Sequence, residues 1–359
     1  MLCAAVPVAA GVAFLAAPSL AGIDPLSGVD FVTIGDPGNT PYDPNGSSEF
    51  SNDNMGGVNY SYNIGVYQID TAQWVAFMNA AFDRPQSQWI PFINVPAVWG
   101  AVPTSPTVPG GMRWAVPAGN GMMAVGGISW RTAAIYCNWL CNGEGSAPSA
   151  FMNGAYDVST FGYFGNIFTD QSTHNPGAKY WIPTQSEWLK AAYYDPNRYG
   201  PGQGGYWQYS NGSNSPYSYG LPGNGHTANS LYSYPGNAQF QVPLGSYPGT
   251  TSPWGLYDVA GEPAEWTEGI DTEVTGFRER VVLGTAWASP ILGPDEISVA
   301  GASILPDQSS VYYSFRLAMA VPSPSTGFGA ILAFSSWYSR RGRHDSRWGR
   351  KARWSYSTL

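Results

Sequence analysis

One run constrains the chain more than any other: Trp254-Gly255-Leu256-Tyr257-Asp258-Val259-Ala260-Gly261-Glu262-Pro263-Ala264-Glu265-Trp266. Asp258 and Glu265 bracket Gly261 and Pro263 inside a frame of aromatics, and a Gly-Glu-Pro turn aims main-chain carbonyls inward. Hard oxygen donors from two side chains and a tight turn suit Ca²⁺. The bland alternative is a surface turn carrying two solvated acids. In a chain with only 11% charged residues, carboxylates are seldom placed by accident.

The 359 residues suffice for one large domain or two ordinary ones. With 44 Gly and 30 Pro, the chain is punctuated too often for long regular elements. Such richness also occurs in disordered chains, but 15 Trp and 23 Tyr supply burial that disorder lacks. A loop-rich globule is therefore expected. No long alternating run and no internal repeat is visible, and residues 198–225 read as one long surface loop.

Three helices can be placed. One starts with Thr71 as cap and runs to about Phe82, with Trp74, Val75, Met78 and Phe82 on its apolar side. A second spans Trp130 to Cys141, capped by Ser129 and stopped by Asn142-Gly143. Ala133, Cys137, Leu140 and Cys141 form its buried stripe. The third opens on a capping box, Thr184 with Glu187, runs to about Tyr194, and stops at Asp195-Pro196. Cys137 and Cys141 read as two buried thiols acting as small apolar groups, since regular helices rarely offer disulfide geometry at that spacing.

Charge and chain ends carry their own expectations. Seven of the 16 basic residues fall in the last 20 positions, so residues 1–339 hold nine basic against 23 acidic side chains, a formal −14. An acidic body of this kind disfavours nucleic acid. Residues 1–21 read as a signal peptide: apolar, Ala-rich and closing on Ser19-Leu20-Ala21, though without a basic start. Export is the expectation, to the periplasm, the cell surface or the medium.

Most catalytic signatures are missing from the sequence. There is no phosphate-binding loop, no dinucleotide fingerprint and no Gly-x-Ser-x-Gly elbow. His174, His226 and His344 have no ligand-like spacing. Glu262, Glu265, Glu268 and Glu273 offer a carboxylate pair in principle, but Glu265 is better used as a cation ligand.

The run at 254–266 has companions in fixed order. They are Ile64-Gly65-Val66-Tyr67 leading to Trp74, Gly127-Ile128-Ser129-Trp130 leading to Cys137-Asn138-Trp139-Leu140, and Trp181-Ile182-Pro183-Thr184 leading to Trp188. After the central run come Arg280-Val281-Val282-Leu283-Gly284-Thr285-Ala286-Trp287 and Ser314-Phe315-Arg316-Leu317. This series resembles the formylglycine-generating enzyme family, or sulfatase-modifying factor domain, over about residues 30–320. The resemblance implies an α+β, loop-rich fold related to C-type lectins, with short strands and a few peripheral helices. Beyond it, residues 321–343 (a short Pro motif, an apolar run and a basic cluster) resemble the PEP-type sorting signals of exported bacterial proteins, with Ser323 where that signal has Glu. Residues 344–359 form a basic tail, and anchoring to a membrane or cell surface through 321–343 is one implied partner.

By the same resemblance, the side chains of Asp258 and Glu265 and the carbonyls of Gly261 and Pro263 hold a structural Ca²⁺. Glu262 replaces the family's Asn and is expected to point outward. A second, weaker site takes Asn229 and the carbonyl of Ser230, completed by a loop containing Asn237. Copper is not expected: the family's oxidases hold Cu(I) with two cysteines after a Gly-Gly-Ser motif, because thiolates select that ion. Here Gly284-Thr285-Ala286-Trp287-Ala288-Ser289 and Pro290 to Pro294 contain no cysteine. The expectation is a Ca²⁺-stabilised, exported binding module for a protein, peptide or glycan. The alternative is a family enzyme whose oxidation or other modification does without the cysteine pair.

Overall fold

The computed structural model describes residues 22–43, 52–104, 113–229, 232–272, 277–287, 295–298 and 301–321. The signal-like start, the segment from 322 to 343 and the basic tail lie outside the described residues. Among those described, no helix is long and apolar enough to cross a membrane. The architecture is α+β, with short strands, a few helices and long irregular connections, as the sequence implies.

Two four-stranded sheets organise the body. The first has the order Phe31–Ile34, Tyr62–Gly65, Ala318–Ala320, Tyr180–Trp181, with every pairing antiparallel. It therefore brings the two ends of the domain side by side, Ala318 opposite Ile64. The second has the order Ala302–Ile304, Glu279–Leu283, Ala264–Asp271, Tyr313–Ser314, its last pairing parallel. Ala264–Asp271 is the longest strand and lacks alternation because its first five residues are all buried. A strand covered on both faces reads as a continuous run, which is why no period-2 signal marks it.

Helix α1 (Thr71–Phe82) begins one residue earlier in its capping than expected. Asp70, not Thr71, is the N-cap: its carboxylate accepts from the Gln73 amide at 2.8 Å while the Gln73 side chain accepts from Asp70 N. The Thr71 hydroxyl instead donates to the Met123 carbonyl. Its buried face is Trp74, Phe77, Met78, Ala81 and Phe82, so Phe77 takes the place expected for Val75. Helix α2 (Trp130–Cys141) has its expected bounds and its Ser129 cap. It is not peripheral, however: every residue from Trp130 to Leu140 is buried, the pattern of a helix enclosed by the core. Trp74, Phe77, Tyr136, Trp139, Phe151 and Phe315 form one aromatic cluster between α1 and α2. Each such pair adds about 1 kcal/mol beyond the area it buries.

A one-turn helix α3 (Ser149–Met152) follows, then α4 (Gln185–Tyr193), which carries both halves of the Thr184–Glu187 capping box. The stretch 198–225 is less exposed than expected. Gly205–Tyr206 pairs with Tyr194–Asp195, and Tyr217 packs with Ala228 and Ala260 in a small cluster of its own. Its Gly, Ser and Asn content hid the tyrosines that anchor it.

Asp70 makes α1 sensitive to pH. Burial outweighs the amide hydrogen bonds and lifts its carboxyl to about 6. A folded-state value above the unfolded one contributes stability that is complete below about 4 and is lost as pH rises through about 6. Asp70→Asn keeps the cap without the charge and should remove up to about 3 kcal/mol of that loss, seen as a flatter dependence of Tm on pH between 4 and 7. An unchanged slope in the variant would show that other groups cause it.

Candidate functional site

The Trp254–Trp266 run folds as a chain of turns entering the Ala264–Asp271 strand. Asp258 sits at φ 56°, a left-handed conformation that Asp tolerates better than most residues. Gly261 has φ 85°, and a side chain there would meet Asn229 N at 2.6 Å and Asn229 O at 2.7 Å. Only glycine lets the two segments approach so closely. The two expected cation sites are therefore one neighbourhood.

Glu265, expected as a cation ligand, is engaged by protein donors. Its Oε2 accepts from Arg316 Nε at 2.6 Å and from Trp188 Nε1 at 2.7 Å; its Oε1 accepts from Arg316 Nη2 at 2.6 Å and Gln68 Nε2 at 3.1 Å. Both side chains of the ion pair are essentially inaccessible to water. A carboxylate held by a bidentate guanidinium and two further donors has most of its lone pairs already occupied. The Pro263 carbonyl accepts from Gln68 Nε2 at 2.8 Å.

Glu262 departs from its expected outward direction. It is buried, not turned outward, with 1% of its surface exposed. Its Oε1 accepts from Asn229 Nδ2 at 2.7 Å, whereas its Oε2 and the nearby Gln68 Oε1 are buried with no hydrogen-bond partner. Burial, with Asp258 close by, pushes the Glu262 carboxyl well above its usual range, against the pull of Asn229. Burial lifts Asp258 to about 6, although the Gly245 amide, 2.6 Å from Oδ2, and Arg316 draw it down. Two buried acids that disfavour their own charge, one with an orphaned oxygen, form a donor set that fits a hard cation.

Asn229 is fully buried, and its Nδ2 also donates to the Gln239 carbonyl at 2.9 Å. The loop that closes on it is thus represented by Gln239, two residues beyond Asn237, which itself occupies a left-handed turn. Ser230 lies outside the described residues. Glu262 was missed because sequence spacing cannot say which side of a turn faces inward. The partner of Glu265 was legible only as the basic residue of the Ser314–Leu317 motif.

The segment that the resemblance aligns with the family's catalytic motif is buried at its described end. Ala286 and Trp287 are completely buried, Trp287 Nε1 donates to the Val311 carbonyl at 2.9 Å, and its ring packs edge-on against Phe240. Residues 288–294 lie outside the described residues. Cys137 is fully buried and Cys141 partly so; both are free thiols, and burial pushes both above the usual thiol range. Cys141 Sγ faces the Tyr180 carbonyl at 3.5 Å, in the first sheet, on the far side of the motif order from Gly284.

The family described as sulfatase-modifying factor enzyme 1-like domain matches residues 36–321. Curated protein sequences give no match. Three solved structures are similar along most of the chain. CarF shows 18% identity and a TM-score of 0.49, over 82% of this chain and 99% of its own. Treponema denticola variable protein 1 shows 17% and 0.47, over 82% and 97%. PvdO from Pseudomonas aeruginosa shows 13% and 0.45, over 85% and 99%. Six motifs in fixed order, an α+β body whose strands, helices and turns they form, and a family match across well over half the chain lead to one assignment: the chain belongs to the sulfatase-modifying factor (FGE-sulfatase) family.

Proposed function

We propose that this family member is a catalytically silent binding module stabilised by Ca²⁺. The observation that carries the reading is the Gly284–Trp287 segment. It offers Thr285, Ala286 and Trp287 where the family's copper chemistry calls on a serine followed by thiolates, and no cysteine occurs between 288 and 320. Hard or absent donors do not hold Cu(I). Cys137 and Cys141 do not substitute, because buried thiols with raised pKa resist the thiolate form that binds metal.

The cation in this proposal is held by Asp258 and Glu262, with Asn229 beside them and the Gly261 and Pro263 carbonyls as main-chain donors. Glu265 is reserved for Arg316. The ion's part is structural: it would neutralise Glu262 and Asp258, two buried acids whose nearest guanidinium, Arg316, is paired with Glu265.

A sulfatase-derived peptide incubated with the protein, copper and oxygen is expected to keep its cysteine mass. Conversion of that thiol to an aldehyde, read by mass spectrometry, would overturn the proposal of silence.

A further inference from the structure

Outside the Asp258–Glu265 region, a cavity of about 230 Å³ opens between the Phe92–Asn94 loop and the start of α2, lined by Phe92, Ile93, Asn94, Ser129, Arg131 and Asp307. Phe92 has φ 65°, a conformation unfavourable for a bulky aromatic, yet its side chain is 43% exposed. Its ring meets the buried Phe161 edge-on at 5.7 Å and lies 5.4 Å from the Arg131 guanidinium carbon, contacts that leave much of it open. The loop is also held from behind: the Thr132 hydroxyl donates to the Phe92 carbonyl at 2.9 Å, and Asn94 Oδ1 accepts from Ser129 N at 3.1 Å. Strain imposed by a rigid frame on an exposed aromatic is a feature of ligand clamps.

The polar wall of the cavity is a matched donor and acceptor. Arg131 commits Nε and Nη2 to Asp170, at 2.8 Å each, and Nη2 also to the Gly162 carbonyl. Among the described residues its Nη1 faces only Asp307 Oδ2, 4.0 Å away, beyond hydrogen-bond reach. Asp307 Oδ1 is fixed by Tyr163 OH at 2.6 Å. A donor and an acceptor are thus held side by side, facing the cavity, each with a valence open. An anion would meet two carboxylates against one guanidinium, and a cation would meet Nη1. A neutral ligand with adjacent hydroxyls satisfies both, one oxygen accepting from Nη1 and the other donating to Oδ2. Phe92 and Ile93 supply the apolar surface such a ring needs on its C–H face.

We infer that this cavity binds a neutral saccharide through a vicinal diol, with Arg131 and Asp307 reading the hydroxyls and Phe92 packing on the ring. The inference rests on the proposal that the chain is a binding module, and names its ligand class.

The test uses the full chain and the methyl glycosides of glucose, galactose and mannose, followed by saturation-transfer NMR. At least one glycoside is expected to receive saturation on its ring protons, with Phe92→Ala and Asp307→Ala each weakening binding tenfold or more and Phe92→Tyr retaining it. Near-ultraviolet circular dichroism confirms that each variant keeps its packing, and Phe92→Tyr keeps the test decisive should Phe92→Ala unfold. No transfer to any of the three from the wild type would overturn the inference, as would transfer unchanged in both alanine variants. Binding of a tetralysine peptide that is lost in Asp307→Ala, without glycoside binding, would overturn the saccharide and leave the binding-module reading intact. Aldehyde formation in the copper assay would instead overturn that reading by itself.

Discussion

Arg316→Met is expected to destabilise the domain by about 3–5 kcal/mol, because it leaves the Glu265 carboxylate buried and uncompensated. The pair is held by two 2.6 Å contacts with both side chains shielded from water. Arg316 does more than neutralise: Nη1 donates to the carbonyls of Gly65 and Val66, and Nη2 to that of Tyr257. One guanidinium therefore ties the first sheet, the Trp254–Trp266 run and the Glu265 strand together. Glu265→Gln should cost a similar amount for the mirror reason. The double variant Glu265→Leu with Arg316→Met should lose less than the sum of the singles, since it removes the charge together with its partner, although Gly65, Val66 and Tyr257 lose donors. Thermal or urea unfolding of the four proteins measures the coupling. A loss below about 1 kcal/mol in Arg316→Met would mean that water reaches the pair and that it behaves as a surface bridge.

Removing Ca²⁺ is expected to have the next largest effect. An ion bound only by the folded state, at a free concentration a thousandfold above its Kd, stabilises by about 4 kcal/mol. For a domain of this size that is a fall in Tm of roughly 7 °C in excess chelator. Glu262→Gln should abolish most of the response, because it removes the charge carried by the orphaned Oε2. In chelator the same variant should be at least as stable as the wild type, since a neutral amide is cheaper to bury than an uncompensated carboxylate. Glu265→Gln makes the contrasting case, destabilising with or without calcium. Melting curves that coincide in calcium and in chelator would remove the ion from the proposal.

These two carboxylates also show where sequence reading reached its limit. The capping signals at Ser129 and at Thr184 with Glu187 act over three or four residues, and local chemistry is enough to place them. Motif order likewise pointed to the fold, because the motifs supply its buried strands, helices and turns. What the sequence could not decide was which acid faces inward. Glu262 and Glu265 are three residues apart in a turn that leads into a strand, where no fixed period sets direction. Their fates depend on residues distant in the chain: Arg316 lies 51 positions from Glu265, and Asn229 lies 33 from Glu262. The cavity beside Phe92 is decided in the same way, since Phe92, Arg131 and Asp307 converge from three separate segments. Sequence alone placed three helices and pointed to the family, because caps and short motifs rest on short-range chemistry, whereas the short strands were left unplaced. The assignment of each charge to a partner belonged to the tertiary structure, because a buried charge takes whichever partner the packing of distant segments delivers to it.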